Sequence, residues 1–237
     1  MSDRVRRIRV WPGVLRLTHW AMAGAVVILL GSGWLLKSGM VLSDRLYQFL
    51  LDQLHLPAGH LLGVALAVRG FYLVRDEGIG GFSALLPSRT SWPGILAGLR
   101  FYTSFARTEM PRYYGHHPLW APVYLVWMGL LVLQVVSGLL LEFGSLRGLF
   151  GLGSDPVLRW HLAPFTLLSM LVILHVVSAF LHDLKGDGGD VSGMISGYRT
   201  FDVERAQDDR PAGPEVQAVS LDSIGGWTPK SKDPGEK

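Results

Sequence analysis

The sequence predicts an all-α integral membrane protein, a bundle of four transmembrane helices, and three observations carry that prediction. Only 17% of the residues are charged and 49% are hydrophobic, where a soluble domain carries about a quarter charged residues. Four stretches, residues 17–36, 54–68, 113–141 and 160–182, contain no Asp, Glu, Lys or Arg. Three of them are long enough to cross an apolar layer about 30 Å thick, and the second does so if Arg69 snorkels or meets a buried anion. Finally, His161 and His175 stand fourteen residues apart inside the last stretch. Fourteen residues is almost four helical turns, so both imidazoles leave one face, roughly 21 Å apart at about 1.5 Å per residue.

The elements follow in chain order. Residues 1–14 are a basic stretch closed by Trp11-Pro12-Gly13, a helix-start signal. The first span, about 15–36, is too long for a signal-peptide core and lacks a small-residue cleavage site, so it is expected to stay as structure. A polar connection, 38–53, is expected to end in a short amphipathic helix. The second span is expected at 55–75, with Pro57 tolerated in its first turn. The connection 75–112 contains Pro87, Pro93 and Pro111 around an interfacial helix expected over 95–105. Spans at 118–142 and 160–183 flank a Gly-rich connection, and a short element is expected at 191–201. Residues 1–201 then form one membrane domain. Residues 202–237 read as a polar cytoplasmic tail, disordered or ordered only on a partner. No internal repeat is evident.

Composition also excludes. The chain has no Cys, which rules out disulfides, iron–sulfur clusters ligated by this chain and covalent c-type haem attachment. Arg4, Arg6, Arg7, Arg9 and Arg16 precede the first span, and Arg69, Arg75, Arg89, Arg100, Arg107 and Arg112 lie at or between spans two and three. Only Lys37, Arg45, Arg147 and Arg159 fall on the other side. The positive-inside rule therefore predicts both termini in the cytoplasm. A net charge of +3 reflects this topology and the lipid surface, not nucleic acid.

An imidazole without a partner in hydrocarbon is costly, so intramembrane histidines are functional candidates. Because the helices alternate in direction, depth pairs His19 with His175 near the inner surface and His55 with His161 near the outer one. Two haems satisfy two such pairs, each six-coordinate and suited to electron transfer. Gly33, fourteen residues after His19, lies at the outer depth, where a missing side chain admits a macrocycle. Arg69, fourteen after His55, lies at the inner depth, where its guanidinium suits a haem propionate. Gly59, one turn after His55, relieves crowding. His60 competes with His55 if the second helix begins at Pro57. A lone Gly serves helix packing equally well and a lone Arg serves topology; the joint pattern carries the haem reading. His182, beside Asp183, reads as a solvated end residue. His116 and His117 read as an interfacial turn before Pro118 or as a quinone or proton site. A haem-free proton or metal transporter is the rival class, although a metal site needs clustered ligands.

Together these residues resemble the b-type cytochrome subunits of membrane-bound Ni/Fe hydrogenases, relatives of formate dehydrogenase gamma subunits and prokaryotic cytochrome b561. The matching pieces are Leu15-Arg16-Leu17-Thr18-His19-Trp20, Ser32-Gly33-Trp34, His55 with Gly59 and Arg69, Gly115-His116-His117-Pro118, Trp160-His161 with His175, and Met194-Ile195-Ser196-Gly197-Tyr198-Arg199. They cover roughly residues 8–201. The resemblance implies two haem b groups, with His19 and His175 at the inner haem and His55 preferred to His60 at the outer one. It implies a site for menaquinone or ubiquinone near the inner haem, drawing on Tyr114, Gly115, His116 and His117. The family shows Gly-His-Asn-Pro there, and this chain has His117 for the Asn. It further implies an iron–sulfur subunit docked on the outer face, in a bacterial inner membrane. The expected role is an electron conduit between a dehydrogenase, foremost a Ni/Fe hydrogenase, and quinone. A molybdenum enzyme acting on formate, thiosulfate or sulfite, or a stand-alone cytochrome b561, is the alternative.

Overall fold

The computed structural model describes residues 4–38, 40, 42–104, 107–108, 113, 115–185 and 190–203. Among the described residues four helical spans are long and apolar enough to cross a membrane: Gly13–Lys37, Asp44–Arg75, Trp120–Glu142 and Ser154–Leu184. Among the described residues the regular structure is helical apart from a two-stranded ribbon, β1 (Arg4–Arg9) against β2 (Tyr198–Val203).

Helix α1 (Gly13–Lys37) starts after Pro12, whose extended backbone suits the position before a first turn. The second span begins eleven residues earlier than the sequence predicts. Ser43 caps α2 (Asp44–Gln48), its hydroxyl accepting from Leu46 N–H at 3.4 Å. The chain then widens into a π-helical segment, Phe49–His55, before α3 (Leu56–Arg75). Leu56 N–H donates to Leu51 C=O, one residue further back than an α-helical bond. The wider turn explains how Pro57 sits inside a continuous span, since its ring would otherwise press on the carbonyl four residues earlier.

The connection that follows contains α4 (Trp92–Thr103), close to the expected interfacial helix. Beyond α5 (Trp120–Glu142), the Gly-rich connection holds α6 (Gly144–Leu149). The last span is two helices, α7 (Ser154–Leu162) and α8 (Phe165–Lys185). Pro164, which offers no N–H, breaks the run that the sequence reads as continuous. The expected element at 191–201 is instead α9 (Asp190–Ser196) followed by β2. Residues 204–237, the expected tail, lie outside the described residues.

The core lies between the spans. Met22, Ala25 and Val26 from α1 meet Leu62, Ala65 and Leu66 from α3, Met128 and Leu131 from α5, and Leu168 from α8. In lipid such packing rests on contact and not on water exclusion, which favours small residues where helices approach. Gly63 is one: a Cβ there would sit 3.2 Å from Val135. Outward faces carry exposed Leu17, Val27, Val64, Val126 and Ile173, as lipid contact requires.

The ribbon ties the first span to the last. β1 pairs antiparallel with β2 from Arg4↔Val203 to Arg9↔Tyr198, and Gly197 C=O accepts from both Val10 and Trp11 N–H. Arg16 donates to Ile195 C=O, and Trp20 Nε1 to Met194 C=O at 3.1 Å. Gly197 turns the chain between α9 and β2 at φ +90°, and a Cβ there would lie 3.1 Å from Trp11 C=O. Gly197→Ala should therefore destabilise by about 1–2 kcal/mol, whereas Gly24→Ala, with open space around its Cβ position, should not. Thermal unfolding in detergent checks this; equal midpoints for the two variants would contradict it.

Candidate functional site: two facing histidine pairs

Four histidines, one each from the first and second spans and two from the last, face each other in two pairs. His19 on α1 and His175 on α8 lie toward the ribbon end of the bundle, with ring centroids 6.1 Å apart and planes at 60°. His55, at the end of the π-helical segment, and His161, in the last turn of α7, lie toward the opposite end, with centroids 6.1 Å apart and planes at 73°. On each helix the core residues fall between these two levels, so an apolar layer separates the pairs.

The spacing discriminates between chemistries. Two imidazoles sharing one hydrogen bond in line would have centroids roughly 5 Å apart. Two imidazoles ligating one metal in line, at about 2 Å per bond, would have them roughly 6.4 Å apart. Both observed distances match the second case. Among the described residues no cluster of three or more His, Asp or Glu forms a metal site, so each pair could hold only a group that brings its own further donors. Haem supplies its own equatorial nitrogens, and the donor set fits it.

The surroundings of the two pairs differ. His55 Nδ1 lies 2.9 Å from Ser32 Oγ on α1, and His161 Nδ1 lies 3.0 Å from Ser137 Oγ on α5. A Cβ on Gly33 would stand 3.4 Å from His55 Cε1, and one on Gly138 would stand 3.4 Å from His161 Cε1. Gly59 faces open space. His161 C=O also accepts from Gln134 Nε2 at 2.8 Å. At the other pair aromatic edges take these places: Trp20 against His19 and Trp127 against His175, each at 5.4 Å. Trp127 Nε1 is buried without a hydrogen-bond partner among the described residues. His60 pairs instead with Glu142 at 2.9 Å.

Arg69 is 3% exposed. Its Nε donates to Tyr124 Oη and its Nη1 to Gly80 C=O, both at 2.8 Å. The Asp76 carboxylate shapes the turn that presents this carbonyl, accepting from Gly78 and Gly80 N–H at 3.0 and 2.9 Å. A Cβ on Gly81 would collide with Asp76 C=O. Among the described residues no carboxylate pairs with Arg69. A buried cation without its anion is costly, which suits an acidic group arriving with a ligand.

Next to this turn a cavity of ≈ 440 Å³ opens between Glu77–Ile79 and Ser83 on one side and Gly115 and His116 on the other. Trp11 packs edge-on to His116 at 5.1 Å. Burial, and after it the Arg69 charge, push the His116 pKa down to about 4, so it is neutral at pH 7. His117 does not line the cavity. It is buried with His182, which accepts or donates through both nitrogens, Nε2 to Tyr102 Oη at 2.7 Å and Nδ1 to Tyr113 Oη at 2.9 Å. His182 is 4% exposed, which corrects the expectation of a solvated end residue: the connection before α5 folds over it. Tyr114, also expected here, lies outside the described residues.

Comparisons with known proteins place the chain among membrane cytochromes. The prokaryotic cytochrome b561 family matches residues 10–197. The chain is similar to the probable Ni/Fe-hydrogenase B-type cytochrome subunit of Cupriavidus necator, 26% identical over 83% of this chain and 88% of that protein. It is similar to the Rhodobacter capsulatus protein of the same description, 26% identical over 86% of this chain and 87% of that one. The probable Ni/Fe-hydrogenase 1 B-type cytochrome subunit of Escherichia coli is 22% identical over 84% and 93%. No solved structure matches at a significant level. With a match that runs from before the first span to beyond the last, the chain belongs to the prokaryotic cytochrome b561 family.

Proposed function

We propose that this chain is a dihaem cytochrome b that anchors a Ni/Fe hydrogenase in the bacterial inner membrane. It passes electrons between that enzyme's iron–sulfur subunit and the quinone pool. The observation that carries the reading is the pair of facing imidazoles at two levels, each at 6.1 Å. The printed names of the relatives support the hydrogenase partner. The basic residues support a cytoplasmic ribbon end, with both termini on that side, which makes His19–His175 the inner pair and His55–His161 the outer.

Haem b at each pair supplies reversible one-electron transfer. The chain's residues do the rest. The four histidines would hold the groups, and the apolar layer between the two pairs keeps water out. Arg69 offers its guanidinium to an inner propionate. The cavity beside Gly115 and His116 suits a quinone head, with neutral His116 as a hydrogen-bonding wall. His117 and His182, with Tyr102 and Tyr113, form a polar route for protons from the cytoplasm.

A pyridine haemochrome assay on the complex purified from membranes tests the reading. Two haem b per chain, together with a co-purifying nickel- and iron–sulfur-containing enzyme, is the expected result. Molybdenum in the partner would reassign the enzyme. Absence of haem would overturn the conduit and leave the histidines to proton or metal transport.

A further inference from the structure

The two outer histidines are held in the same way from opposite sides. On α1 the dipeptide Ser32-Gly33 faces His55, and on α5 the dipeptide Ser137-Gly138 faces His161. Each serine is nearly inaccessible, 4% and 1% exposed. A hydroxyl carries one proton, and in both cases its direction is fixed by the helix. Ser32 Oγ lies 2.7 Å from Ile28 C=O and Ser137 Oγ lies 2.6 Å from Leu133 C=O. A carbonyl only accepts, so each hydroxyl donates to its own helix. The oxygen that remains is an acceptor, and the imidazole Nδ1 must be the donor. Both outer histidines are thereby in the Nδ1–H tautomer, with the Nε2 lone pair free for iron. Among the described residues neither inner histidine meets a serine; Trp20 and Trp127 stand there instead.

Resting on the dihaem reading, we infer that Ser32 and Ser137 are positioning residues for the outer haem. They fix the ligating tautomer of His55 and His161 and hold that haem's midpoint potential down. An acceptor on Nδ1–H makes the imidazole a stronger donor through Nε2, which favours ferric over ferrous iron. Because the serines act on opposite faces of one iron, their effects add. Electrons entering at the outer side thus start from the haem that gives them up more readily.

The test is a spectroscopic redox titration of the purified complex with Ser32→Ala, Ser137→Ala, the double variant and Ser→Thr at each position. The outer haem is the titration wave missing in His161→Ala. Each Ala variant should move the outer-haem reduction equilibrium about three- to tenfold toward ferrous, a tenfold change being 59 mV for one electron. The double variant should move it by the sum, Thr should restore it, and the inner wave should stay in place. Unchanged potentials at full haem content would overturn the inference and leave the serines as ordinary helix back-bonding residues. Equal movement of both waves would overturn it as well, by showing a general distortion. If an Ala variant does not accumulate, Ser→Cys, close in size and a poor acceptor, gives the same readout. Absence of haem in the unaltered complex would instead defeat the dihaem reading.

Discussion

His161→Ala and His55→Ala each remove one and the same haem, and His19→Ala and His175→Ala each remove the other. The expectation follows from the two levels: the histidines of a level face each other at 6.1 Å, and an apolar layer lies between levels. Losing one axial ligand leaves a bis-imidazole site with a single bond and an open position facing hydrocarbon. Substitution of an outer-shell partner alone costs 10–100-fold in metal affinity, and removal of a ligand costs more. The chain should still insert, because the spans are defined by hydropathy and not by the histidines. Haem content should fall from two to one, with the surviving band unshifted. His60→Ala provides the internal contrast. Its imidazole pairs with Glu142 at 2.9 Å, so both haems should remain. Haem loss in His60→Ala with retention in His55→Ala would reverse the assignment on the second span.

Much of this was legible in the sequence, and the part that was not has a physical reason. Spans are legible because hydrocarbon forbids unpaired charge over about twenty residues. Histidine pairing was legible because depth along a helix is set by residue count, and the structure brings together the same pairs. Depth is robust to local irregularity: neither the π-helical segment before His55 nor the break at Pro164 moves an imidazole to another level. Those two features were not legible, since both depend on how Pro57 and Pro164 are accommodated by neighbouring turns. The ribbon was not legible either, because Arg4–Arg9 and Tyr198–Val203 find each other only across the whole chain. His182 looked solvated because its covering groups, Tyr102 on α4 and Tyr113 after it, reach it only through tertiary packing. The Ser-Gly dipeptides were visible at 32–33 and 137–138, one of them within a family-like motif. What each serine bonds is a tertiary fact, and a buried serine on an apolar helix otherwise reads as packing.

Arg69→Met should lower the midpoint potential of the inner haem and loosen the turn beside it, with the outer haem unaffected. Three observations combine here. The guanidinium is 3% exposed and makes its bonds to a phenol and a carbonyl, neither of which cancels its charge. It stands fourteen residues after His55, which by helix rise brings it to the depth expected for His19 and His175. A positive charge near a haem favours the reduced state, so its removal disfavours reduction; the sign is downward. Structurally, Met leaves Tyr124 Oη and Gly80 C=O without their donor, at about 1–3 kcal/mol for a buried polar group. Gly80 belongs to the Asp76 turn, so the wall of the cavity should loosen together with the inner haem. Arg69→Lys separates the two effects: it keeps the charge but not the fork that reaches Tyr124 and Gly80 together. The potential should then return most of the way while thermal stability does not. A redox titration paired with thermal unfolding reads both. An inner-haem potential unmoved in Arg69→Met would show that the guanidinium serves the fold of the turn alone.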